Sequence, residues 1–300
     1  MASCTISVCL NTYRRAMVFD CLQSIQAQVL PPDATIEIVV SDNDADGSGQ
    51  AHVERFAAMS TIPVSYRIVP EKNIAVARND SLARATGEWV AFIDDDEIAE
   101  PDWLAQLYTY ALEMGADAVL GSVTARYHDD APAWVVKADP MSKCWGPRGT
   151  RMYTGSTCNA LVRRARLDGL DGYFNKDFGK AGCDDAELFA RLAHSGALIL
   201  MCPEARVSED VPPDRAGIEY LRRRSLRVGQ SYARIITPYK KPVAVAIFHL
   251  QAIARWILLA MAEPVVRLAR RDLSLRMRLV RWRNGGKIRE LLGMGLIEMY

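Results

Sequence analysis

The sequence predicts an α/β fold in which helices cover both faces of a mainly parallel sheet, followed by a helical extension that is basic and apolar. Two observations support the sheet: strand-like and helix-like patterns alternate along the first part of the chain, and the 300 residues are 50% apolar and only 24% charged. A chain of this length and composition can bury a large core. The seven cysteines form no Cys-x-x-Cys pair, which argues against a zinc site or a disulfide framework and favours a reducing cytosol.

The expected elements follow from the period and length of the apolar runs. Alternating or continuous apolar residues predict strands at residues 6–10, 36–40, 64–69, 90–93, 118–120 and 197–201. Amphipathic stretches predict helices at residues 18–27, 52–59, 75–85, 103–114 and 184–193. In open α/β sheets, ligands bind at the carboxyl ends of strands, and Asn11, Asp42 and Asp94 fall at such ends.

Two other segments affect the expected organisation. Residues 127–153 are irregular and rich in Pro, Gly and Trp, which fits either a loop that faces the substrate or an ordinary ordered surface loop. Residues 5–10 alternate like a first strand. No basic segment followed by a long apolar stretch precedes them, so a signal peptide is not expected.

Charge is divided unevenly along the chain. Residues 216–300 contain 17 Arg and Lys against 5 Asp and Glu, a net charge of +12. Subtraction from the totals of 37 and 36 leaves 20 and 31, a net charge of −11, for residues 1–215. This asymmetry predicts an acidic catalytic domain at 1–215 and a basic helical region at 216–300 that seeks an anionic surface, either lipid or nucleic acid.

The basic region contains an apolar stretch at residues 243–262 that is long enough to cross a bilayer. His249, Gln251 and Arg255 interrupt it, and an Arg deep in a lone spanning helix is costly. We therefore expect an interfacial or protein-packed helix rather than a span. Residues 267–289 interleave Arg with Leu, Met and Val, as in a membrane-surface amphipathic helix or a solvated face packed on the catalytic domain.

The acidic run Asp94-Asp95-Asp96-Glu97 directly follows the apolar run 89–93. If the backbone stays extended, Asp94 and Asp96 point the same way and Asp95 points to the opposite face. Two carboxylates suit Mg²⁺ or Mn²⁺, which complete their shells with water and phosphates. The run therefore predicts a metal site that holds a diphosphate; the alternative is an acidic turn exposed after a buried strand.

Five motifs occur in a specific order: Ser7–Arg15, Ile38–Asp44, Asn73–Asn79, the Asp-x-Asp of Asp94 and Asp96, and Gly182–Leu188. In this order the chain resembles inverting glycosyltransferases of family 2, which have the GT-A fold, over about residues 4–215. Asp-Asp-Ala-Glu-Leu from Asp184 and Glu209-x-x-Pro212 make it similar to enzymes that assemble exopolysaccharide repeat units of the succinoglycan type.

The resemblance implies a nucleotide-sugar donor at the ends of the first two strands. Asn11, Tyr13 and Arg14 match the turn on the nucleotide side. Asp42 matches a carboxylate that contacts the base, although Ser41 replaces the Asp that usually precedes it. An Asp can accept a hydrogen bond from a uracil imide N–H; the alternative role for Asp42 is to cap a turn.

The resemblance also implies roles around the metal and the acceptor. Asp96 would ligate the metal, and Asp94 would contact the sugar-nucleotide or the same ion. Arg78 would either neutralise phosphate or pair with a surface acid on its own helix.

Asp185 matches the catalytic base, which takes the proton of the acceptor hydroxyl while the metal stabilises the departing diphosphate. Asp184, where Glu is commoner in the family, would lie on the substrate side. Alternatively, both acids merely favour the amino end of a helix.

Two departures from relatives limit this transfer of roles. Many relatives carry a His after the strand that follows the base helix, where this chain has Val207-Ser208-Glu209-Asp210, so no metal role of a His is carried over. The Gln-x-x-Arg-Trp motif of processive synthases is also missing, because Gln251 and Trp256 are one residue too far apart. We therefore expect single-sugar transfer.

The expected activity is a metal-dependent, inverting transfer of one sugar from a nucleotide-sugar, a UDP-hexose, to a lipid-linked glycan in bacterial surface or exopolysaccharide biosynthesis. The expected location is the cytoplasmic face of the inner membrane, with peripheral or single-helix attachment to its anionic surface, and no nucleic acid is expected.

Two alternatives stay open. A sugar-phosphate nucleotidyltransferase would need a Gly-rich loop after the first strand, where residues 11–15 contain no Gly. A nucleic-acid-binding protein would explain the basic tail but not the ordered acids.

Overall fold

The computed structural model describes residues 4–298, which form two compact units. The first comprises residues 4–124, Lys143–Lys180 and Asp184–Glu209. The second comprises Ala125–Ser142, Ala181–Cys183 and residues 210–298. The division at residue 215 stays a prediction, and its outer limits at residues 1 and 300 lie outside the described residues.

The described residues contain eight strands, whose bounds are β1 (Cys4–Thr12), β2 (Ala34–Asp42), β3 (Val64–Ile68), β4 (Trp89–Ile93), β5 (Glu97–Ala99), β6 (Ala118–Tyr127), β7 (Asn159–Arg163) and β8 (Ile199–Val211). They form one sheet in the order β3-β2-β1-β4-β7-β6-β8-β5. β1 pairs in parallel with β2 and β4, and β2 with β3. β7 pairs antiparallel with β4 and β6, and β5 with β8. The predicted α/β fold class is confirmed, with a mixed sheet.

The α-helices of the described residues are α1 (Val18–Gln26), α2 (Gln50–Ala57), α3 (Ile74–Arg84), α4 (Trp103–Met114), α5 (Ala133–Ala138), α6 (Arg164–Asp168), α7 (Lys176–Gly179), α8 (Asp184–His194), α9 (Ile218–Ile236), α10 (Pro242–Ala269) and α11 (Arg271–Leu291). The first four and α8 agree with the predicted helices to within two residues at each end. Residues 127–153, expected to be irregular, contain the short helix α5.

The core of the first unit holds β4, the strand that precedes the acidic run, between two apolar clusters. Alternate residues of β4 enter different apolar clusters: Trp89, Ala91 and Ile93 join one, and Val90 and Phe92 join the other. Every residue of β4 is buried, as is typical of a strand covered on both faces. The acidic run that follows β4 is therefore anchored to the most buried strand of the sheet.

The second unit is built around the crossing of α9 and α11. A Cβ on Gly229 would collide with the backbone oxygen of Arg283, and one on Gly286 with that of Leu226, so glycine at both positions allows the two helices to approach closely. Leu221, Leu275, Leu279 and Trp282 form part of the core of this unit.

The apolar stretch predicted at 243–262 lies within α10. Among the described residues, α10 is the one helix long and apolar enough to cross a membrane by these criteria alone, with 11% of its most apolar window buried.

Candidate functional site

Three predicted donor-binding residues lie at the carboxyl end of β1. The side-chain oxygen of Asn11 is buried and has no hydrogen-bond partner among the described residues. The ring of Tyr13 has two cations near it: the Arg14 guanidinium carbon lies 5.3 Å and Lys72 Nζ 5.2 Å from its centroid. Arg14 also donates to Asp44 Oδ2 at 3.1 Å. An amide oxygen without a hydrogen-bond partner, an aromatic ring and cations are groups that could contact a nucleotide.

Asp42, by contrast, is completely buried and already hydrogen-bonded. Its Oδ2 accepts from Gly49 N and from the Tyr66 hydroxyl, each at 2.7 Å. Its Oδ1 accepts from Asp44 N at 3.0 Å. These bonds give Asp42 the turn-capping role that was the alternative in the sequence. The contact of Asp42 with the nucleotide base stays a prediction. It requires Asp42 to give up one of these hydrogen bonds for one from the base.

The acidic run after β4 forms a tight turn rather than an extended segment. The Glu97 N–H donates to the Asp94 carbonyl at 3.1 Å, which closes the turn. One nitrogen of Arg15, Nη1, lies 2.7 Å from Asp95 Oδ1 and 2.7 Å from Asp96 Oδ2. The expectation that Asp95 points away from Asp96 is therefore wrong, because the turn directs both carboxylates to one guanidinium.

The electrostatics of this turn favour a cation. Burial and repulsion by Asp94 raise the pKa of Asp96 to about 7, although Arg15 opposes the shift. Burial also raises the pKa of Asp95. Asp94 is the most accessible of the three acids, with 39% of its side chain exposed. The turn thus holds more negative charge than Arg15 alone compensates.

These residues fit a divalent cation only if the ligand set is completed from outside the chain. Within residues 4–298, no group of three or more His, Cys, Asp or Glu side chains is arranged to hold a metal ion. Carboxylate oxygens are nonetheless the ligands that Mg²⁺ and Mn²⁺ prefer, and these ions commonly take the rest of their shell from substrate phosphates and water. Asp94 and Asp96 match that arrangement.

A buried charge network supports the turn from behind. Glu97 is fully buried, and its Oε2 accepts the Asp94 N–H at 2.9 Å. Glu97 also pairs across the sheet with Glu209 of β8. Lys143 Nζ lies 3.3 Å from Glu209 and 3.9 Å from Glu97. Glu209, in the segment where many relatives carry a His, therefore supports the turn through Lys143.

Arg78 links this turn to the start of α8. It extends from α3, with 11% of its side chain exposed, and donates to Asp184 Oδ2 at 2.8 Å. Its second terminal nitrogen lies 3.9 Å from Asp94 Oδ1. The partner of Arg78 is thus a buried acid on a distant helix rather than a surface acid on its own helix. Burial raises the pKa of Asp184, and Arg78 opposes that shift.

Asp185, the predicted catalytic base, is the second residue of α8. The chain enters this helix through Gly182, whose φ of +63° lies in the region that favours glycine. The Ser156 hydroxyl donates to Asp185 Oδ2 at 2.7 Å, which orients the carboxylate. Asp184, next to it, is fully buried, and its Oδ1 has no partner among the described residues. Of these two neighbouring acids, the half-buried Asp185 is the one that is accessible from outside the protein.

Sequence reasoning missed three residues of this arrangement: Arg15, Glu97 and Lys143. Arg15 belongs to the recognised motif Ser7–Arg15, and Glu97 belongs to the recognised acidic run. Their charges and their places in these motifs could have indicated that both residues contribute to the site. Lys143 lies in the irregular segment 127–153, and only the backbone pairing of Lys143 with Val123 brings it to the site.

Comparison with known proteins agrees with this geometry. The family model described as Glycosyl transferase family 2 matches residues 7–170. A curated relative, the succinoglycan biosynthesis protein ExoM of Rhizobium meliloti (strain 1021), is 39% identical over 233 residues, which are 77% of this chain and 74% of the relative.

Solved structures show a similar fold at low identity. The mannosyltransferase PcManGT from Pyrobaculum calidifontis, solved with GDP-Man and Mn²⁺, has a TM-score of 0.67 at 22% identity, covering 98% of this chain and 89% of that one. S. aureus TarS 1-349 with UDP-GlcNAc has a TM-score of 0.56 at 17% identity, covering 97% and 92%.

The neighbours are glycosyltransferases of the GT-A fold, as the motifs implied. The family match spans more than half of the chain, and the curated relative covers more than two thirds of it. The chain is a glycosyltransferase and belongs to glycosyl transferase family 2.

Proposed function

We propose that this glycosyltransferase moves one sugar, with inversion, from a nucleotide-sugar, a UDP-hexose, to a lipid-linked glycan in bacterial exopolysaccharide biosynthesis. The observation that carries the proposal is the position of Arg78, which contacts Asp94 of the acidic turn and Asp184 beside Asp185. One guanidinium thus joins the residues suited to a diphosphate with the residues suited to an acceptor hydroxyl.

Donor binding in this proposal uses the end of β1 and the acidic turn. The Asn11 side-chain oxygen, which has no partner among the described residues, accepts from the nucleoside. Tyr13 provides a flat surface for the base, and Arg14 and Arg78 offset the negative charge of the diphosphate. PcManGT and TarS, whose structures contain GDP-Man and UDP-GlcNAc, show that this fold accommodates nucleotide-sugars with either base.

Asp94 and Asp96 would hold Mn²⁺ or Mg²⁺ with the donor diphosphate. The ion supplies electrostatic stabilisation of the diphosphate leaving group. The PcManGT structure contains Mn²⁺, which supports the same requirement here. Arg15 holds Asp95 and Asp96 in place, and Glu97 fixes the turn by accepting the Asp94 N–H.

Asp185 acts as the general base. It accepts the proton of the acceptor hydroxyl while that oxygen attacks the anomeric carbon from the face opposite the diphosphate, which inverts the configuration. The Ser156 hydroxyl donates to Oδ2 of Asp185 and the Ala186 N–H donates to Oδ1, each at 2.7 Å. These bonds fix the carboxylate, and each oxygen keeps a second lone pair that can accept from the acceptor hydroxyl. Arg78 donates to Asp184 at 2.8 Å and offsets the negative charge of that neighbouring acid.

The acceptor is proposed to be lipid-linked and the protein to act at the cytoplasmic face of the inner membrane. The net charge of +12 after residue 215 and the apolar helix α10 support attachment to an anionic membrane surface. ExoM, named for succinoglycan biosynthesis, supports an exopolysaccharide substrate. Family membership favours the transferase over a nucleotidyltransferase or a nucleic-acid-binding protein.

The test is donor hydrolysis by the full chain across UDP, GDP and dTDP sugars, with Mn²⁺, with Mg²⁺ and with EDTA. We expect one UDP-hexose to be preferred and EDTA to abolish turnover. Asp96→Ala should lose Mn²⁺-dependent donor binding while keeping the fold, whereas Asp20→Ala, an exposed acid on α1, should behave like the wild type.

Product analysis tests the stereochemistry, because an inverting enzyme gives the opposite anomer by NMR. Retained configuration, or full turnover in EDTA, would contradict the proposal.

A further inference from the structure

The residues of α10 are sorted in the opposite way to those of an ordinary surface helix. Its buried positions include His249 and Glu263, each less than 10% exposed. Its outward positions carry large apolar side chains, with 46% to 90% of each exposed: Val243, Ile247, Leu250, Ile257, Met261, Val265 and Leu268. A surface helix normally faces solvent with its polar residues, so α10 presents a face built for an apolar surrounding.

These seven residues, which we call the α10 stripe, lie along one line of the helix. Their spacing of three and four residues, with Ala254 between Leu250 and Ile257, keeps them within an arc of about 100° at 3.6 residues per turn. A 28-residue helix is about 42 Å long at 1.5 Å per residue. Three polar residues appeared to interrupt the apolar sequence. By the same angular step they fall outside the arc: His249, Gln251 and Arg255. The stripe is therefore continuous.

The opposite side of α10 packs along α11. Glu263 accepts from the Ser274 hydroxyl at 2.5 Å and lies 3.5 Å from Arg278. Further along, Lys287 Nζ lies 4.9 Å from the Phe248 ring centroid. Burial lowers the pKa of Lys287, and the nearby charge of Arg255 lowers it further, so Arg255 also lies toward α11. The two helices thus run together over most of their length.

This pairing argues against a spanning orientation. α11 carries seven cations against the two acids Asp272 and Glu290: Arg271, Arg276, Arg278, Arg281, Arg283, Lys287 and Arg289. If α10 crossed a bilayer, the adjacent part of α11 would enter the hydrocarbon with at least Arg278, Arg281, Arg283 and Lys287. Cations at the centre of a bilayer are strongly disfavoured.

Charge at the ends of α10 indicates the kind of surface that covers the stripe. Lys240 and Lys241 precede the helix, and Arg267, Arg270 and Arg271 surround its end, and all five are exposed. Cations at both ends of an apolar line match anionic lipid headgroups around an inserted helix. They do not match a second copy of α10, since association would bring like charges together whichever way the copies run.

We propose that α10 lies in the plane of an anionic lipid leaflet, with the stripe among the acyl chains and α11 on the side away from the hydrocarbon. The inference rests on the proposed function in one respect, the membrane location of the acceptor, and it selects in-plane attachment over a single-helix span.

The first experiment is co-sedimentation of the full chain with vesicles of phosphatidylcholine alone and with vesicles that also contain about 30% phosphatidylglycerol, an anionic lipid that attracts basic segments. We expect binding to the anionic vesicles that weakens with salt. Leu250→Glu with Ile257→Glu should reduce the affinity at least tenfold. Met59→Glu with Leu112→Glu, at similarly exposed apolar positions of the first unit, should bind like the wild type.

The second experiment distinguishes lying from spanning. In a chain with Cys4→Ser and Cys144→Ser, the two cysteines that are not buried, a single fluorophore is placed at Val243→Cys, Ile257→Cys or Leu268→Cys. Quenching by lipids brominated at known depths should give the same shallow depth at all three positions. A deepest position at 257, with 243 and 268 near opposite surfaces, would overturn the in-plane orientation.

Two further outcomes would also overturn it. One is equal vesicle binding by the wild type and the Leu250→Glu/Ile257→Glu variant. The other is a dimer that this variant converts to a monomer in gel filtration with light scattering, without vesicle binding by the wild type. Donor hydrolysis measured on the same proteins keeps the two proposals separate: vesicle binding without hydrolysis would contradict the proposed function and leave the in-plane helix standing.

Discussion

The acidic turn of the first unit and helix α10 of the second depart from ordinary burial in opposite directions. In the first unit, Asp95, Asp96, Glu97 and Asp184 are each less than 10% exposed. In α10, large apolar side chains are exposed and Glu263 is buried. Buried charge and exposed apolar surface are the two informative exceptions to the usual distribution of side chains, and we propose a different class of ligand for each.

The two regions differ in the source of the groups that stabilise their unusual exposure or burial. The buried acids have cations within the chain: Arg15, Arg78 and Lys143. The residues of the α10 stripe are 46% to 90% exposed within the described residues, so we propose that their cover comes from outside the chain. The free energy of unfolding should therefore fall when one internal partner of the buried acids is removed. It should change little when a side chain of the α10 stripe is truncated in solution.

The largest effect on stability is expected from Arg78→Met. It leaves Asp184 buried and without its counter-ion, which should lower the free energy of unfolding by about 3–5 kcal/mol, measured by urea denaturation. Arg67→Met breaks the Arg67–Asp80 pair, in which Arg67 is 58% exposed, and should cost at most about 1 kcal/mol. Equal costs for the two variants would remove the distinction between buried and exposed charge.

Asp185→Asn should lower kcat by roughly a hundredfold or more, which is about 2.7 kcal/mol of activation free energy. The amide oxygen still accepts one of the two hydrogen bonds that Asp185 receives, from the Ser156 hydroxyl or from the Ala186 N–H, but the amide cannot take a proton. Donor affinity, measured by titration with UDP-sugar, should stay close to that of the wild type. A parallel loss of donor affinity and turnover would point to a structural role for Asp185.

Donor binding with Mn²⁺ should depend on pH through Asp96. The pKa of Asp96 is raised to about 7, so below that pH a proton occupies the carboxylate and competes with the cation. Affinity should rise by up to about tenfold per pH unit below pH 7 and level off above it. Isothermal titration at several pH values measures this, and an affinity independent of pH across that range would exclude Asp96 as a ligand.

The smallest effect is expected in the α10 stripe. Met261→Ala should change the free energy of unfolding in solution by no more than about 0.5 kcal/mol, because the side chain is exposed. Leu107→Ala, in the core of the first unit, should cost about 2–5 kcal/mol. A large cost at Met261 would mean that the stripe is covered by protein.

The parts of this molecule that were predictable from sequence are those that depend on neighbouring residues. The apolar period located β1 to β4 and α1 to α4, because each packs one or two faces in a repeating pattern. The acidic run was recognised from its residues and its position directly after an apolar run. Its geometry was not, since the hydrogen bond from Glu97 to Asp94 turns the backbone and brings Asp95 and Asp96 together on Arg15.

Contacts across long sequence separations were not predictable. Lys143 reaches Glu97 and Glu209 through the pairing of strands distant in sequence, and Arg78 meets an acid 106 residues away. The helical period alone shows that His249 and Arg255 lie outside the apolar arc of α10. It does not show that this side of the helix packs on α11. What the pattern could not supply was which helix covers which face.

The position of Arg78 makes Asp94 and Asp184 compete for one positive charge. When either acid is neutralised, by a proton or by a bound cation, the guanidinium is left to the other. Substitutions at the two acids should therefore be non-additive in a double-mutant cycle, although one acid follows β4 and the other opens α8. A change of charge at the proposed metal site should thus affect the acid next to the proposed base through a single side chain.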